Sequence, residues 1–249
     1  MLLIDLGNSR LKWVQVVGGQ WQAQGAEVHD GLNLPAAIRE QWQVLDRPSL
    51  VCVSCVAGES IKTSLCLWLE QVWGLVPRFI GSQSGVCGVT SRYRELKKLG
   101  VDRWLALVGA RSQAPALVVD CGTAVTIDVL DTEGVHQGGI ILPGIALMQS
   151  ALLGKASGIQ SAALTGSFSA NCELGLGRDT QEGIALGAHY AVAGAIEHFE
   201  QVNKAKIQGY CRIITGGDAA VVQSALKPEY HTHSHLVLTG LQIVASQYS

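Results

Sequence analysis

Short apolar runs that end at turn residues open the chain. The first run, Leu2–Ile4, leads into an Asp-x-Gly turn at Asp5, and a second run covers 11–17 before the glycine pair Gly18-Gly19. Runs of this length between glycine-rich turns are typical of strands joined as hairpins. The pattern therefore predicts two strands around the turn and a third strand that starts at Trp21.

The same order of features recurs in the second half of the chain. The run Leu117–Val119 leads into another Asp-x-Gly turn at Asp120, and a strand pattern over 125–130 and a turn at 131–134 follow. A strand, an Asp-x-Gly turn, a second strand, a turn and a third strand thus occur twice. Such a repeat predicts two similar halves.

Between the two hairpins, helical and strand patterns alternate. We place the boundary of the halves near Ala114-Pro115, which gives an N-terminal domain at residues 1–114 and a C-terminal domain at residues 115–249. Each half is predicted to be an α/β domain whose sheet opens with an antiparallel hairpin.

Helical periods and capping residues complete the predicted elements. We expect Ser60 and either Asp179 or Thr180 to be helix N-caps, and residues 154–177, which show little periodicity, to form a mobile loop. Helices are predicted over 35–45, 60–72, 101–112, 143–153, 180–201 and 218–226, and strands over 49–56, 76–80 and 211–215.

Composition excludes several classes of protein. Of the 249 residues, 48% are hydrophobic and 15% are charged, which excludes a disordered chain. The net charge is −2 and no Lys/Arg block exceeds a dipeptide, so the basic surface that nucleic acid requires is missing. Because no apolar run could span a bilayer and the first residues lack a basic signal segment, we expect a cytoplasmic protein with no membrane partner.

Cysteine and histidine spacings leave two alternatives open. The seven cysteines are an odd number, which favours reduced, buried thiols. Cys52 and Cys55 have the spacing of a metal or redox pair, but their apolar neighbours favour a buried strand. His231, His233 and His235 would place three imidazoles on one face of a strand, and we favour exposed histidines over a transition-metal site.

The first Asp-x-Gly turn carries candidate phosphate chemistry. Gly7 allows a tight turn whose amides approach a ligand closely, and Asn8 and Ser9 add short donors. Lys12 can meet a phosphate as a point charge. Asp5 would face a polyphosphate only with Mg²⁺, held directly or through water. The alternative is a plain hairpin with a capping aspartate.

The second turn makes a nucleotide site the better interpretation. If the two halves are related by pseudo-symmetry, Asp120 and Thr123 face the first turn, so that Thr123 can bind phosphates and Asp120 a second cation. The turn at Pro143-Gly144 precedes a helix N-terminus, which favours anions. The glycine turn 215–219 suits a nucleoside, although a plain strand-to-helix loop is the alternative.

The arrangement resembles the superfamily of acetate and sugar kinases, Hsp70 and actin. No GxxxxGK[ST] motif and no protein-kinase signature set occur in the sequence. The resemblance implies an α/β fold of two similar βββαβα-type, RNase H-like domains around a nucleotide cleft.

A narrower resemblance is to the type III pantothenate kinases. Tyr93 followed by Gly100-Val101-Asp102-Arg103 is similar to a segment of that family, and the DxGN[ST], DxGTA, PG and TGGDA motifs stand in the family's order. The resemblance implies ATP-dependent phosphorylation of pantothenate to 4′-phosphopantothenate, the first step of coenzyme A biosynthesis, by a cytoplasmic homodimer.

The same resemblance implies a role for each matching residue. Asp102 is implied as the general base, and Asp120 as the ligand of a monovalent cation, K⁺ or NH₄⁺. The implied pantothenate contacts are Tyr93, Gly100, Val101, Asp102, Arg103 and Thr180. The implied ATP contacts are Asp5, Leu6, Gly7, Asn8, Ser9, Arg10, Leu11, Lys12 and Thr123.

Two other functions stay open. The chain could be another enzyme of the superfamily, either a kinase for a different small alcohol or a phosphate-ester hydrolase, although the Asp102-Arg103 pair favours pantothenate. It could also be a nucleotide-dependent regulator or binding module. The presence of Asp5, Lys12, Asp102 and Asp120 favours catalysis over loss of it.

Overall fold

A computed structural model describes residues 1–83, 85–155, 175–226 and 230–248. The chain divides into two compact units. The first unit is Met1–Ser112 together with the C-terminal segment from Leu236, and the second is Gln113–His235.

The described elements follow one another as strands, helices and short connections. In chain order they are β1 (Leu2–Leu6), β2 (Arg10–Val17), β3 (Gln20–Val28), α1 (Ala36–Gln43), β4 (Val51–Cys55), α2 (Glu59–Trp73), β5 (Arg78–Phe79), β6 (Thr90–Ser91), α3 (Val101–Ala110), β7 (Ala116–Cys121), β8 (Ala124–Leu130), β9 (Val135–Pro143), α4 (Ile145–Lys155), α5 (Thr180–Asn203), β10 (Cys211–Thr215), α6 (Ala219–Ala225), β11 (His231–Thr232) and α7 (Leu236–Ala245).

The first unit is built on a sheet with strand order β3-β2-β1-β4-β5. Strand β1 pairs antiparallel with β2 and parallel with β4, so it lies in the middle and all five of its residues are buried. Alternate residues of a strand point to opposite faces. Leu2, Ile4 and Leu6 therefore join the core under α1 and α2, while Asp5 lies on the other face.

Tryptophans fill the core between this sheet and its two helices. The ring of Trp42 is fully buried and lies 6.1 Å from that of Trp13, 5.5 Å from that of Trp68 and 6.2 Å from that of Trp73, centroid to centroid. Large aromatic side chains bury much apolar area in few residues, which anchors the sheet that carries the first turn.

The C-terminal helix belongs to the first unit, which corrects the prediction that 115–249 form one domain. Helix α7 crosses α3 at two glycines. A Cβ atom on Gly109 would lie 2.5 Å from Leu236 O, and one on Gly240 would lie 1.9 Å from Leu105 O. Only glycine allows the two backbones to approach so closely.

In the second unit, strands lie in the order β11-β10-β7-β8-β9. Strand β7 pairs antiparallel with β8 and parallel with β10, as β1 does with its own neighbours. Leu117, Val119 and Cys121 point into the core that α5 and α6 cover. Asp120 lies on the opposite face, at the end of β7.

Most predicted elements are confirmed, with shifts at their ends. Asp179 is the N-cap of α5, and its Oδ1 accepts a hydrogen bond from Glu182 N at 2.8 Å. Ser60 was wrong as a cap, because α2 begins at Glu59 and its N-cap is Gly58. The predicted loop over 154–177 lies mostly outside the described residues. In the described part of the chain, no helix has the length and apolar character needed to cross a membrane.

Candidate active site

The first Asp-x-Gly turn is a tight connection between β1 and β2. The Gly7 N–H donates to Arg10 O at 3.0 Å and closes the turn. A Cβ atom on Gly7 would lie 3.2 Å from Arg10 O, so a larger residue would crowd the turn without blocking it. Asn8 is exposed and makes no hydrogen bond with any described residue, whereas Ser9 is half-buried.

The turn's two ends are held by one residue of the next connection. The imidazole Nε2 of His29 lies 2.8 Å from Gly7 O, and the backbone N–H of His29 donates to Ser9 O at 3.1 Å. The chain after β3 therefore braces the turn that β1 and β2 form.

An aspartate and a lysine are register partners next to this turn. Asp5 is directly opposite Lys12 in the β1–β2 pair, and opposite Ser54 in the β1–β4 pair. Residues in register on adjacent strands share a face. Asp5 is only 8% exposed, so its charge lies in a poorly solvated position at the end of the strand.

The predicted ATP contacts of the first turn differ in what they can offer a ligand. Arg10 is exposed and Lys12 half-buried, so both side chains are accessible. Leu6 and Leu11 are fully buried in the core, so these two residues can contact a ligand only through their backbones.

Two backbone hydrogen bonds close the second Asp-x-Gly turn. The Gly122 N–H donates to Ala124 O at 3.1 Å, and the Gly144 N–H donates to Thr123 O at 2.9 Å. A Cβ atom on Gly144 would lie 2.2 Å from Gly122 O, so any other residue there would have to displace the backbone of the turn. Thr123 itself is exposed.

A glycine also lies against the carboxylate of Asp120. Gly216 has a φ of +101°, and a Cβ atom there would lie 2.6 Å from Asp120 Oδ1 and 2.3 Å from Cys121 O. The Asp218 N–H donates to the same Cys121 carbonyl at 3.0 Å. The predicted glycine turn between β10 and α6 therefore forms a cradle around the end of β7.

The threonines Thr126 and Thr215 are the register partners of Asp120 on β8 and β10. Hydroxyl-bearing residues thus stand on both neighbouring strands, where the first turn has a lysine and a serine beside Asp5. Burial, with the nearby Asp120 and Asp218 charges, raises the pKa of the Cys121 thiol, which stays neutral at this position.

A third group of polar side chains lies at the start of α3. The Nη1 of Arg103 donates to Tyr93 Oη at 2.8 Å, and its guanidinium carbon lies 5.6 Å from the centre of the Tyr93 ring. The Arg103 N–H donates to Asp102 Oδ1 at 2.8 Å. Arg103 is 6% exposed, whereas Asp102 is half-buried and therefore accessible to a small molecule.

The helix start explains why a glycine precedes this pair. Gly100 is the N-cap of α3, and a Cβ atom there would lie 2.6 Å from Asp102 Oδ1. Any other residue would displace the carboxylate. Val101 is buried, so its side chain anchors the first turn of the helix.

Thr180 is the first residue of α5 and is exposed. The helix start is held by Asp179, as described above, and by Glu182, whose carboxylate accepts from Arg178 N at 2.7 Å. Within the first unit, the predicted site residues thus form two groups, one at the first turn and one at the start of α3. The remaining predicted residues, Asp120, Thr123 and Thr180, lie in the second unit.

Comparison with known proteins decides the family. Residues 1–202 match the sequence profile of the type III pantothenate kinases. The chain belongs to the type III pantothenate kinase family. The family member of that name from Aromatoleum aromaticum is 38% identical over 250 residues, which cover 99% of this chain and 98% of the relative. That from Nitrosococcus oceani is 32% identical over 257 residues, which cover 100% and 95%.

Solved structures share the fold at low sequence identity. The activator of the 2-hydroxyisocaproyl-CoA dehydratase from Clostridium difficile, with bound ADPNP, has a TM-score of 0.58 and 15% identity over 98% of this chain and 92% of its own. Component A of the Acidaminococcus fermentans (R)-2-hydroxyglutaryl-CoA dehydratase has a TM-score of 0.54 and 17% identity over 100% and 96%. This likeness confirms the predicted actin, Hsp70 and sugar-kinase type of α/β fold.

Some residues of this family member's site were not found from the sequence. His29 lies 22 positions from Gly7, and only the pairing of β2 with β3 brings it to the turn. Ser54 lies inside an apolar strand pattern and gave no signal. Gly144 and Gly216 belong to recognisable glycine motifs, but motif spacing does not predict their close backbone contacts.

The remaining cysteine and histidine predictions have separate outcomes. Cys52 and Cys55 lie in β4 as free thiols, and burial raises the pKa of Cys52 to about 11. The strand expected over the three histidines is only His231–Thr232, so they do not share one strand face. Among the described residues, no three His, Cys, Asp or Glu side chains are grouped to hold a metal ion.

Proposed function

We propose that this protein transfers the γ-phosphoryl group of ATP to the primary hydroxyl of pantothenate, which yields 4′-phosphopantothenate in the first step of coenzyme A biosynthesis. The observation that carries the proposal is the Tyr93–Arg103–Asp102 group at the start of α3. In a chain of this family, it combines a carboxylate that can accept a proton with a guanidinium that can bind a carboxylate substrate.

We assign the nucleotide to both Asp-x-Gly turns. The exposed Asn8 and the half-buried Lys12 support phosphate binding at the first turn, and the exposed hydroxyl of Thr123 supports it at the second. The ATP contacts are Asp5, Leu6, Gly7, Asn8, Ser9, Arg10, Leu11, Lys12 and Thr123.

The residues present fit the two cations that the reaction calls for. Asp5 would hold Mg²⁺, directly or through water, because a buried carboxylate beside Lys12 is matched to a metal–phosphate complex. Asp120 would hold K⁺ or NH₄⁺ in the cradle that Gly216 lines, where any Cβ atom would fill the space. When bound, the cations supply charge neutralisation at the phosphates.

The substrate contacts follow from the α3 group. A guanidinium carries N–H donors in a rigid fork that matches a carboxylate, and the bond to Tyr93 fixes the direction of the Arg103 fork. We assign pantothenate to Tyr93, Gly100, Val101, Asp102, Arg103 and Thr180.

Asp102 is the general base of the proposed reaction. The Arg103 N–H fixes its carboxylate. As the substrate oxygen bonds to the γ-phosphorus, its proton passes to Asp102, the bond from phosphorus to the bridging oxygen breaks, and ADP leaves with that electron pair. An aspartate accepts the proton effectively because the transfer occurs when the oxygen is already bonding to phosphorus.

We further propose that the protein is a cytoplasmic homodimer, as the family resemblance implies. Light scattering of the purified protein tests the assembly, and a mass twice that of the 26.4 kDa chain is the expected result.

The test of function is release of ADP from Mg-ATP in the presence of pantothenate. The same assay with other small hydroxy acids and primary alcohols, each in Na⁺, K⁺ and NH₄⁺, measures specificity and the cation requirement. We expect turnover only with pantothenate and only with K⁺ or NH₄⁺. Faster turnover with another alcohol would reassign the substrate, and ADP release independent of any alcohol would contradict a kinase.

A further inference from the structure

His29 makes three hydrogen bonds around the first turn and its own connection. Its Nε2 lies 2.8 Å from Gly7 O, its backbone N–H donates to Ser9 O at 3.1 Å, and its Nδ1 accepts from Gly31 N at 3.0 Å. His29 is half-buried, so water has only partial access to these hydrogen bonds.

These partners assign the tautomer of the ring. Because Gly31 N–H can only donate, Nδ1 must carry a lone pair. The proton of the neutral imidazole is then on Nε2, which donates to Gly7 O. The ring therefore spans the gap from the Gly31 amide to the Gly7 carbonyl in one defined orientation.

The connection behind His29 is itself ordered. The Oδ1 of Asp30 accepts from Leu32 N at 2.8 Å and from Asn33 N at 3.1 Å. These backbone bonds lower the pKa of the exposed Asp30 carboxyl below its usual value. The imidazole is thus mounted on a loop that holds its own shape.

Fixing two carbonyls also fixes two amides. A trans peptide group is planar, so its C=O and N–H point in opposite directions. With Gly7 O directed at the imidazole, the N–H of Asn8 points away from His29. Ser9 O accepts from the His29 backbone N–H, so the N–H of Arg10, in the same peptide group as Ser9 O, also points away from His29.

We propose that His29 is a positioning residue that holds the amides of Asn8 and Arg10 in the orientation that receives the phosphates of ATP. This inference rests on the nucleotide contacts of the proposed function and is independent of the identity of the phosphate acceptor. His29 acts through the Gly7 and Ser9 carbonyls and does not touch the nucleotide.

The test compares His29→Ala, His29→Gln and His29→Asn with the wild type. The glutamine Nε2 reaches about as far as the imidazole Nε2, so it can still donate to Gly7 O. The asparagine Oδ1 can accept from Gly31 N in an Asx-turn, but its side chain is too short to reach Gly7. The matched control is His198→Ala, at an exposed histidine of α5 whose side chain makes no hydrogen bond with any described residue.

Calorimetric titration with the magnesium complex of a non-hydrolysable ATP analogue gives the first readout. We expect the Kd to rise about tenfold in His29→Ala and His29→Asn, the usual size for one lost hydrogen bond at a binding loop, and less than about threefold in His29→Gln. The KM for ATP should follow the Kd, with the KM for pantothenate unchanged.

Three results would overturn the proposal. The first is wild-type affinity in His29→Asn. The second is an equal loss in His29→Gln and His29→Ala that accompanies a lower melting temperature and raises both KM values, because that would show a merely structural role. The third is a wild-type protein that binds no nucleotide. If the wild type binds the analogue but does not phosphorylate pantothenate, only the assignment of pantothenate as the acceptor fails. The positioning role of His29 at the nucleotide is then unaffected.

Discussion

The two Asp-x-Gly turns share a sequence pattern but are held in different ways. The first is braced by the side chain of His29, and a Cβ atom on Gly7 would still have 3.2 Å to its nearest neighbour. The second is closed by Gly144 and Gly216, where a Cβ atom would lie 2.2 Å and 2.3 Å from backbone oxygens. A repeated motif therefore does not imply repeated support, and the first turn tolerates more change than the second.

The residues that flank the aspartates of the two turns also differ. Asp5 stands opposite Lys12, whereas Asp120 stands between the register positions of Thr126 and Thr215. A carboxylate beside an ammonium group suits a metal–phosphate complex that carries both signs of charge. A carboxylate among hydroxyl-bearing residues suits a lone, weakly charged cation with oxygen ligands.

The largest expected effect is on catalysis, and it comes from changing Asp5 rather than Asp120. Asp5→Asn should lower kcat/KM for ATP by about 10²–10³-fold, the usual cost of removing one group that stabilises charge at the reacting phosphate. Steady-state kinetics over a range of Mg²⁺ concentrations measure it, and an unchanged melting temperature is the control. Activity within threefold of the wild type would remove Asp5 from the metal assignment.

The next effect concerns the glycines of the two turns. Gly144→Ala should lower the free energy of unfolding by about 1–3 kcal/mol, because the new Cβ atom overlaps Gly122 O, whereas Gly7→Ala should cost less than about 1 kcal/mol. Urea unfolding of both variants makes the comparison. Equal costs would show that the turns are equally crowded.

A smaller effect is expected from Asp120→Asn. The variant should lose the stimulation by K⁺ or NH₄⁺ and keep its dependence on Mg²⁺, with activity about tenfold lower, which is the typical cost of a perturbed ligand shell. The measurement is a titration of activity with KCl at fixed ionic strength. A K⁺ response equal to that of the wild type would place the monovalent cation elsewhere.

The smallest effect concerns the alkylation of the Cys121 thiol, which we expect to have no consequence for turnover. Burial raises the pKa of Cys121 far above neutral, so its thiolate, the reactive form, should be nearly absent at pH 8. Mass spectrometry after iodoacetamide treatment should find Cys121 labelled only in urea. Rapid labelling of the folded protein would mean that the second turn opens readily.

The sequence predicted the local features of the fold and missed the contacts between distant segments. Both hairpins, the Asp179 cap and β10 follow from patterns of a few residues, and the structure confirms them. The segment that forms α7 was placed with the wrong half, because an apolar segment does not show which neighbour it covers. His29 was missed for the same reason, since strand register rather than spacing brings it to Gly7.

The most direct test of the central claim is identification of the product. We would incubate the protein with Mg-ATP, pantothenate and K⁺ and identify the products by ³¹P NMR and mass spectrometry, beside the Asp102→Asn variant. We expect 4′-phosphopantothenate and ADP in equal amounts from the wild type, and a rate about 10²–10⁴-fold lower from the folded variant. ADP without a phosphorylated pantothenate, or an Asp102→Asn variant as fast as the wild type, would contradict it.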